Sequence, residues 1–493
     1  LGHKCSRLWS VCVLFYSANE GVTALRRMVG RSVIYTNESN ITRDNVLRVL
    51  EEASNTHFGN RVEIDYLYNY YKGNQPILNR VKQVREEINN KIVENHAMEV
   101  VDFKKGYVFG EPVQYVRRGE HQGVADKIGK LNEFMFAEDK ASKDQELAEW
   151  FYICGMGYRM ILPDEDADPE ADSDDSPFEI DTLDPRNTFV VYHNGFGKRP
   201  VMGVTYTRKD TGETVYSVYT REMFYRIVDK TYIMEETPHS LGDIPIIEYP
   251  ANNARMGSFE AVLPLLDALN NVISNRIDGI EQFVQSFMKF VNCDIDEETF
   301  KALKEMGAIK VKSGGGEKAD VDIISQELDQ TQTQVTKDDL YQTVLIICGM
   351  PDRKGSGSNT GDTGKAVELR DGWAAAESRA KESELIFKRA EKKFLKLALR
   401  IIRDIGGINL KLSDVDIKFT RNKTDNLLVK TQGLQNMLEA GIHPLIAITH
   451  SGLFSDPEQT YLDSMEYLEK WKREKVTEVP INNKPDPKDG DGE

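Results

Sequence analysis

The chain has 493 residues, with 63 basic and 80 acidic side chains and a net charge of −17. This length exceeds one ordinary core and predicts two to four domains, while the acidic balance argues against a protein that grips nucleic acid over its whole surface. The five cysteines are scattered without a CxxC pair or a metal-binding spacing, which indicates a reduced, intracellular protein.

The N-terminal stretch has the pattern of a short signal peptide. Residues 8–18 are apolar and follow two basic side chains, but the run is too short to span a bilayer. We interpret residues 1–27 as a mis-called start or a leader, with translation from Met28. The alternative is a secreted or membrane-tethered scaffold that uses this run as its signal and is cleaved near Ala18.

Residues 28–257 predict a mixed α/β domain. A helix is expected over residues 41–53, with Thr42 or Asn40 as its N-cap, and a second helix over residues 62–71.

Further along this domain, residues 98–115 are punctuated by Gly106 and Gly110, and Pro112 marks a turn or an edge strand. Another helix is expected over residues 145–152. Alternating short apolar segments then predict strands at residues 158–162, 178–183, 188–192, 201–207, 214–219, 222–228 and 231–234.

An acidic run at residues 164–175 lies between two of these strands. A calcium loop of the EF-hand type would need a glycine at its sixth position and a glutamate at its twelfth, and both are missing. The run is better explained as the solvated tip of a hairpin.

Two long amphipathic helices follow, separated by a small insert. Apolar side chains recur at helical spacing from Phe259 to Phe287, and a second helix becomes apolar before it ends near Cys348. The insert, residues 291–325, predicts a short helix at residues 296–306 and strands at residues 308–312 and 321–324.

A Gly/Ser-rich loop over residues 350–365 precedes a third long helix, residues 365–405. Long helices joined by such a loop suit an assembly part better than a compact enzyme.

The C-terminal region predicts one strand and two helices. The strand covers residues 415–420, and the helices cover residues 425–440 and 457–474. Residues 476–493 are rich in Pro, Asp, Gly and Lys and are expected to be disordered.

The loop Gly357–Lys365 offers the only nucleotide-binding alternative. Asn359 stands where a P-loop has its first glycine, Ala366 stands where the magnesium-binding Ser or Thr belongs, and the loop follows a helix instead of a strand. No nucleophile elbow, Cys/His set or metal spacing is found, so we expect no enzymatic activity, no cofactor and no metal.

Basic side chains concentrate in residues 301–318 and 353–370. They could be solvated surface, or both groups could contact DNA phosphates without sequence preference, each contact being weak and salt-sensitive.

The order of motifs resembles the portal protein of tailed bacteriophages, in the form found in long-tailed phages and prophages of Gram-positive hosts. The likeness covers nearly all of residues 40–475 and excludes residues 1–27. The segments that show it are Tyr70-Tyr71-Lys72-Gly73, residues 89–95, residues 101–113, Asp184-Pro185 with residues 189–192, and residues 357–369.

This resemblance implies an α+β multidomain portal fold with a mixed α/β wing, a long helical stem, a small α/β clip and a helical crown. The implied parts are a wing at 28–257, stem helices at 258–290 and 326–350, a clip at 291–325, a tunnel loop at 351–363, a long wing helix at 364–406, a wing strand at 407–424, a crown at 425–475 and a disordered tail at 476–493.

It also implies a dodecameric ring at one capsid vertex, through which the genome is packaged and ejected. The implied partners are double-stranded DNA, the terminase, a major capsid or scaffolding protein and a head-completion adaptor, with no membrane; during assembly the protein would lie in the host cytoplasm. The candidate DNA-facing residues of the tunnel loop are Arg353, Lys354, Asn359 and Lys365. The candidate basic residues of the clip are Lys310, Lys312 and Lys318.

Overall fold

The computed structural model describes residues 30–83, 85–118, 123–164, 175–284, 287–291, 320–324, 330–352, 372–421, 427–454, 457–465 and 467. In chain order the helices are α1 (Val46–Tyr71), α2 (His96–Phe109), α3 (Ala125–Ala137), α4 (Lys140–Cys154), α5 (Leu263–Val284), α6 (Gln330–Cys348), α7 (Trp373–Gly406), α8 (Leu427–Glu439) and α9 (Pro444–Ser451). The strands are β1 (Ile34–Thr36), β2 (Gln114–Arg117), β3 (Met156–Pro163), β4 (Phe178–Leu183), β5 (Thr188–His193), β6 (Pro200–Arg208), β7 (Thr214–Tyr219), β8 (Met223–Val228), β9 (Tyr232–Pro238), β10 (Ile246–Pro250), β11 (Phe287–Val291), β12 (Asp320–Ile324) and β13 (Val415–Lys418).

The chain forms two compact units, each assembled from separated segments. The first comprises Leu1–Gly106, Gln145–Leu162 and Glu179–Leu397, and the second comprises Tyr107–Asp144, Pro163–Phe178 and Ala398–Glu493. The mixture of sheets and long helices is the α+β architecture that the sequence predicts.

A six-stranded sheet covered by α1 forms one core of the first unit. Its strand order is β1-β5-β6-β7-β8-β9, with β1 parallel to β5 and the other neighbours antiparallel. The register places Val204 opposite Val218 and Val218 opposite Tyr225, all buried on the face toward Val46 and Leu50 of α1. The predicted strand 214–219 is confirmed to the residue, and the strands beside it differ from the predictions only at their ends.

Helix α1 is continuous where two helices were predicted, and it begins at Val46 instead of residue 41. Two polar side chains between the two predicted helices, His57 and Asn60, are buried. His57 stacks on Phe189 with ring centroids 4.6 Å apart, and the Asn60 side chain both accepts from and donates to the Ser32 backbone at 2.8 Å. These tertiary contacts keep the helix intact across a weak helix-forming sequence.

A three-stranded sheet, β10-β3-β4, packs against α7 in the same unit. Glu391 of α7 accepts a hydrogen bond from the Tyr249 hydroxyl at 2.7 Å and lies 3.5 Å from the Arg159 guanidinium, all with fully buried side chains. The Arg159 guanidinium also lies 5.4 Å from the Phe394 ring centroid. Strand β10, which the sequence reasoning missed, therefore supplies one member of a buried polar network.

The acidic run lies at the connection of β3 and β4, as predicted. The Asp164 amide donates to the Pro177 carbonyl at 3.1 Å, so the chain enters and leaves the run side by side.

The sequence suggested that Gly106 and Gly110 interrupt residues 98–115. These residues are instead mostly helical. Helix α2 runs through Gly106 because Ala97, Val100, Val101 and Val108 are buried at helical spacing, which outweighs the cost of about 1 kcal/mol for an interior glycine. The turn or edge strand expected at Pro112 leads into β2.

The first long helix is shorter than predicted. Helix α5 ends at Val284, and Phe287 already belongs to β11, which pairs antiparallel with β12. The predicted strand 321–324 is confirmed as β12, while the other expected strand and the short helix of the insert lie outside the described residues.

The second unit contains the β2–β13 pair with α3, α8 and α9. Phe109 and Phe419 meet edge-on with centroids 5.7 Å apart, and the Asn132 side chain donates to the Tyr115 carbonyl at 3.0 Å. The predicted helix 425–440 is found as α8, and the predicted helix 457–474 is helical at 457–465. Helices α3 and α9 were not predicted.

Candidate functional site

The residues proposed from the sequence to contact DNA lie outside the part of the chain that the structure describes. These are Arg353, Lys354, Asn359 and Lys365 in the loop, and Lys310, Lys312 and Lys318 in the insert. The structure instead defines the helices that lead into and out of these segments.

The described residues on either side of segment 353–371 lie close together. Helix α6 delivers the chain to Met350 and Pro351, and the chain resumes at Gly372 before α7. A Cβ placed on Gly372 would lie 3.5 Å from the Met350 carbonyl oxygen and 3.6 Å from the Pro351 Cα. We call these residues, with Gly349, the loop base.

Gly349 terminates α6 and sets the direction of the chain toward the loop base. Its φ is +65°, and the amides of Gly349 and Met350 donate to the carbonyls of Ile346 and Leu345 at 3.2 and 2.9 Å. This is a Schellman-type helix end, which favours glycine. A Cβ here would also approach the Arg379 Cγ to 2.8 Å, so close packing with α7 requires glycine as well.

A cation that sequence reasoning missed lies beside the loop base. Burial lowers the pKa of Lys104, and the neighbouring Arg379 lowers it further, while the nearby Cys348 thiol and Glu382 act in the opposite direction. The Cys348 thiol is itself buried, which raises its pKa to about 11. In the sequence Lys104 stands beside Lys105, and nothing there distinguishes the two lysines.

Helix α6 is held by a charged cluster at the start of α2. Lys337 Nζ lies 2.6 Å from Glu94, the Tyr341 hydroxyl donates to Glu99 at 2.9 Å, and the His96 and Tyr341 ring centroids are 4.7 Å apart. The His96 ring nitrogens lie 2.8 Å from Glu99 and 3.3 Å from Glu94.

This cluster favours its charged forms. Burial opposes protonation of His96, but the hydrogen bonds with Glu94 and Glu99 outweigh it and raise the pKa of the ring to about 9. The hydrogen bond from His96, together with Lys337, lowers the pKa of Glu94 to about 2 against the opposing effect of burial. Charged side chains, in addition to apolar packing, therefore hold helix α6 in place.

Helix α5 is held by an extended segment, residues 89–95, which we call the strap. Three buried polar side chains of α5 accept hydrogen bonds from alternate strap amides: Asp278 from Asn90 at 2.7 Å, Ser274 from Ile92 at 3.0 Å, and Asn270 from Glu94 at 2.8 Å. Spacing of four residues places all three side chains on one helix face. The strap is one of the segments that show the family likeness in the sequence.

Two cations complete the strap contact. Lys82 and Arg80 both pair with the Asp278 carboxylate. Burial alone would raise the pKa of Asp278, but the contacts from Lys82 and Asn90 lower it.

The strap contacts the polar face of α5. The apolar side chains of this helix are only partly covered by the other described residues. Ile273 and Ile277 are half-buried and Ile280 is 36% exposed, although α5 pairs with α6. On α6, Ile346 is 75% exposed and Val335 is 55% exposed. We call these five residues the apolar stripe; the described residues of one copy of the chain do not cover it fully.

None of the described helices is long and apolar enough to cross a membrane. Over the same residues, His, Cys, Asp and Glu side chains form no group suited to a metal ion.

A family model described as "Phage portal protein, SPP1 Gp6-like" matches residues 51–480. The chain belongs to this portal protein family. The portal is a structural part of the phage, a connector between head and tail. This portal assignment gives no support to nucleotide binding by Gly357–Lys365, a loop outside the described residues.

Two solved structures are similar to this portal chain. They are the neck of the empty gene transfer agent particle computed with C6 symmetry, at 14% identity and a TM-score of 0.41, and the neck of the native particle computed with C12 symmetry, at 13% identity and a TM-score of 0.40. Both matches cover 73% of this chain and 90% of the other. No curated protein matches the chain.

Proposed function

We propose that this portal protein forms a closed ring at one capsid vertex, through which double-stranded DNA enters during packaging and leaves during ejection. The ring is a homo-oligomer of about twelve copies, built from head-to-tail contacts in which one face of each subunit fits the other face of its neighbour.

The observation that supports this proposal best is the apolar stripe on α5 and α6. Exposed Ile and Val side chains on paired long helices are costly in water, with about 25 cal/mol regained per Å² of apolar surface that a neighbour covers. The strap binds the polar face of α5, so the apolar stripe stays available to a second copy. The paired helices would then form the stem around a central channel.

The tunnel loop of this proposal is segment 351–363, and the proximity of Met350 and Pro351 to Gly372 at the loop base supports it. A loop that leaves and re-enters the fold at one point can contact DNA while α6 and α7 stay in place. Arg353, Lys354, Asn359 and Lys365 would contact phosphates transiently, each contact being weak and salt-dependent. The net charge of −17 per chain would repel DNA from the rest of the channel wall.

The remaining parts carry the partner contacts in this proposal. The insert between α5 and α6, with Lys310, Lys312 and Lys318, would be the clip that meets the terminase during packaging and the head-completion adaptor afterwards. The C-terminal helices would form the crown, and the outer wing would meet the capsid or scaffolding protein. The chain acts without an enzymatic activity of its own, within the virion and, before that, in the host cytoplasm.

The test is native mass spectrometry and negative-stain electron microscopy of protein translated from Met28. The expected result is rings of about twelve subunits with a central hole. In Ile346→Asp, a charge at the apolar stripe should abolish rings while the melting temperature of the monomer stays unchanged.

The matched control is Phe58→Asp, which places the same charge on a 58% exposed apolar side chain of α1. Rings that persist in Ile346→Asp, or that are lost equally in Phe58→Asp, would contradict the role of the apolar stripe. A wild-type monomer at all concentrations would contradict the ring itself.

A further inference from the structure

A cationic cleft lies in the first unit between α7 and strands of the two sheets. It consists of two adjoining hollows of about 400 and 710 Å³, which share Tyr192, Arg199, Pro200, Glu248 and Lys393 in their walls.

The positive charge of the cleft is not neutralised from within. Of its carboxylates, Glu248 pairs with Arg255, and Asp243 pairs with Lys396 at 3.1 Å. Within the described part of the chain, five further cations of the walls form no ion pair with a carboxylate: Lys198, Arg199, Arg221, Arg389 and Lys393. Such a concentration is unexpected in a chain with net charge −17 and points to an anionic ligand.

The position of Lys393 supports this conclusion. Partial burial lowers its pKa, and the neighbouring Arg389 and Arg255 lower it further against Glu248 and Asp243. A carboxylate bound beside Lys393 would reduce its repulsion by Arg389 and Arg255.

The cleft also has apolar walls, which restrict the kind of anion. Ile244, Ile246 and Leu397 line the smaller hollow, and Leu385, 71% exposed, lines the larger one. Hollows of this size and lining suit an extended peptide with carboxylates and small apolar side chains. The Glu248 carboxylate, which lines both hollows, disfavours the phosphates of DNA.

We propose that the cleft binds the acidic run, residues 164–175, of a second copy of this chain. Eight of its twelve residues are acidic, and the others are two alanines, a proline and a serine, so its charge and small side chains complement the cleft. The inference rests on the proposed ring, since a head-to-tail contact brings one part of a subunit to a different part of its neighbour. It assigns a specific charge pairing to that contact.

The test measures peptide binding by fluorescence anisotropy. The probe is a labelled synthetic peptide with the sequence of residues 163–176. The receptor is the full chain in which every Asp of the run is replaced by Asn and each Glu by Gln, so that its own run cannot occupy the cleft. We expect saturable binding at about 0.05 M salt that weakens strongly at about 0.5 M.

The variant of the cleft is Arg389→Glu with Lys393→Glu, and the matched control is Lys381→Glu with Lys392→Glu on the same helix. Both pairs change the net charge equally, but the control residues lie outside the cleft walls. The cleft variant should bind at least about tenfold more weakly, while the control should change less than about twofold. The milder Arg389→Gln with Lys393→Gln should show an intermediate loss, which guards against a folding defect.

The strongest support for this pairing would come from exchanging the charges of the cleft and of the peptide. A peptide with four of its Asp residues replaced by Lys should bind the cleft variant and not the parent receptor. Equal loss in the control variant would overturn the inference, since only net charge would then matter. A single-stranded oligonucleotide that binds the cleft more tightly than the peptide would overturn it in favour of nucleic acid.

The two proposals fail separately. Rings without peptide binding would refute the cleft pairing and leave the ring intact. Peptide binding by a chain that never forms rings would refute the ring, and with it the assignment to a neighbouring subunit.

Discussion

The charged cluster around His96 predicts a pH-dependent attachment of α6. The pKa of His96 is raised from its ordinary 6.5 to about 9, and its side chain is only 20% exposed. Since one pKa unit corresponds to about 1.4 kcal/mol, the protonated ring contributes about 3 kcal/mol. Because the pKa of the folded state lies above that of the unfolded chain, this contribution is fully present below pH 6.5 and is lost as the pH rises through about 9.

The variant His96→Gln keeps a polar side chain but cannot be charged. Urea unfolding of both proteins between about pH 6 and pH 10 gives the difference in unfolding free energy at each pH, in which the other titrating groups cancel. We expect this difference to shrink by about 3 kcal/mol as the pH rises. Glu94→Gln should lose most of the same pH dependence, because it removes one of the two carboxylates that hold the ring.

A free-energy difference that stays constant across this range would refute the reasoning, because the pKa of His96 would then be the same in the folded and the unfolded chain.

Three further changes test other parts of the argument. Asn270→Leu leaves the Glu94 amide without its acceptor inside the strap contact and should lower the unfolding free energy by about 2–4 kcal/mol in urea unfolding; a loss below about 1 kcal/mol would show that the strap is dispensable. Gly349→Ala forces a side chain into a left-handed conformation and toward Arg379, and should cost about 1–2 kcal/mol in the same measurement, whereas an unchanged protein would contradict the strained turn. Lys354→Ala with Lys365→Ala should impair DNA packaging or retention in an assembly assay while rings still form; normal packaging would remove the charge-based support for the tunnel loop.

The sequence predicted those features that depend on local periodicity. Alternation located strands such as β7, and the apolar repeat located α5 and α6, because burial on one face leaves a period in the sequence. The family likeness came from the order of short motifs, one of which is the strap.

Features that depend on contacts distant in the sequence escaped prediction. The continuity of α1 depends on the burial of His57 and Asn60, and α2 runs through a glycine that suggests a break. The strap contact was hidden because Asn270, Ser274 and Asp278 look like the solvent face of an amphipathic helix, yet they are buried. Their partners are backbone amides, which carry no side-chain signature.

The strap contact can extend over only a short length of α5, because a helix and an extended chain advance by different distances. Four helical residues advance about 6 Å along the axis, whereas two extended residues advance about 6.6 Å. The spacing of the strap amides and the spacing of their acceptors on α5 therefore differ by roughly half an ångström per step. Three hydrogen bonds tolerate this difference, whereas a long series would not. Inserting one residue into the strap would turn the anchored amides away from the helix, so its length is fixed even where its side chains are free to vary.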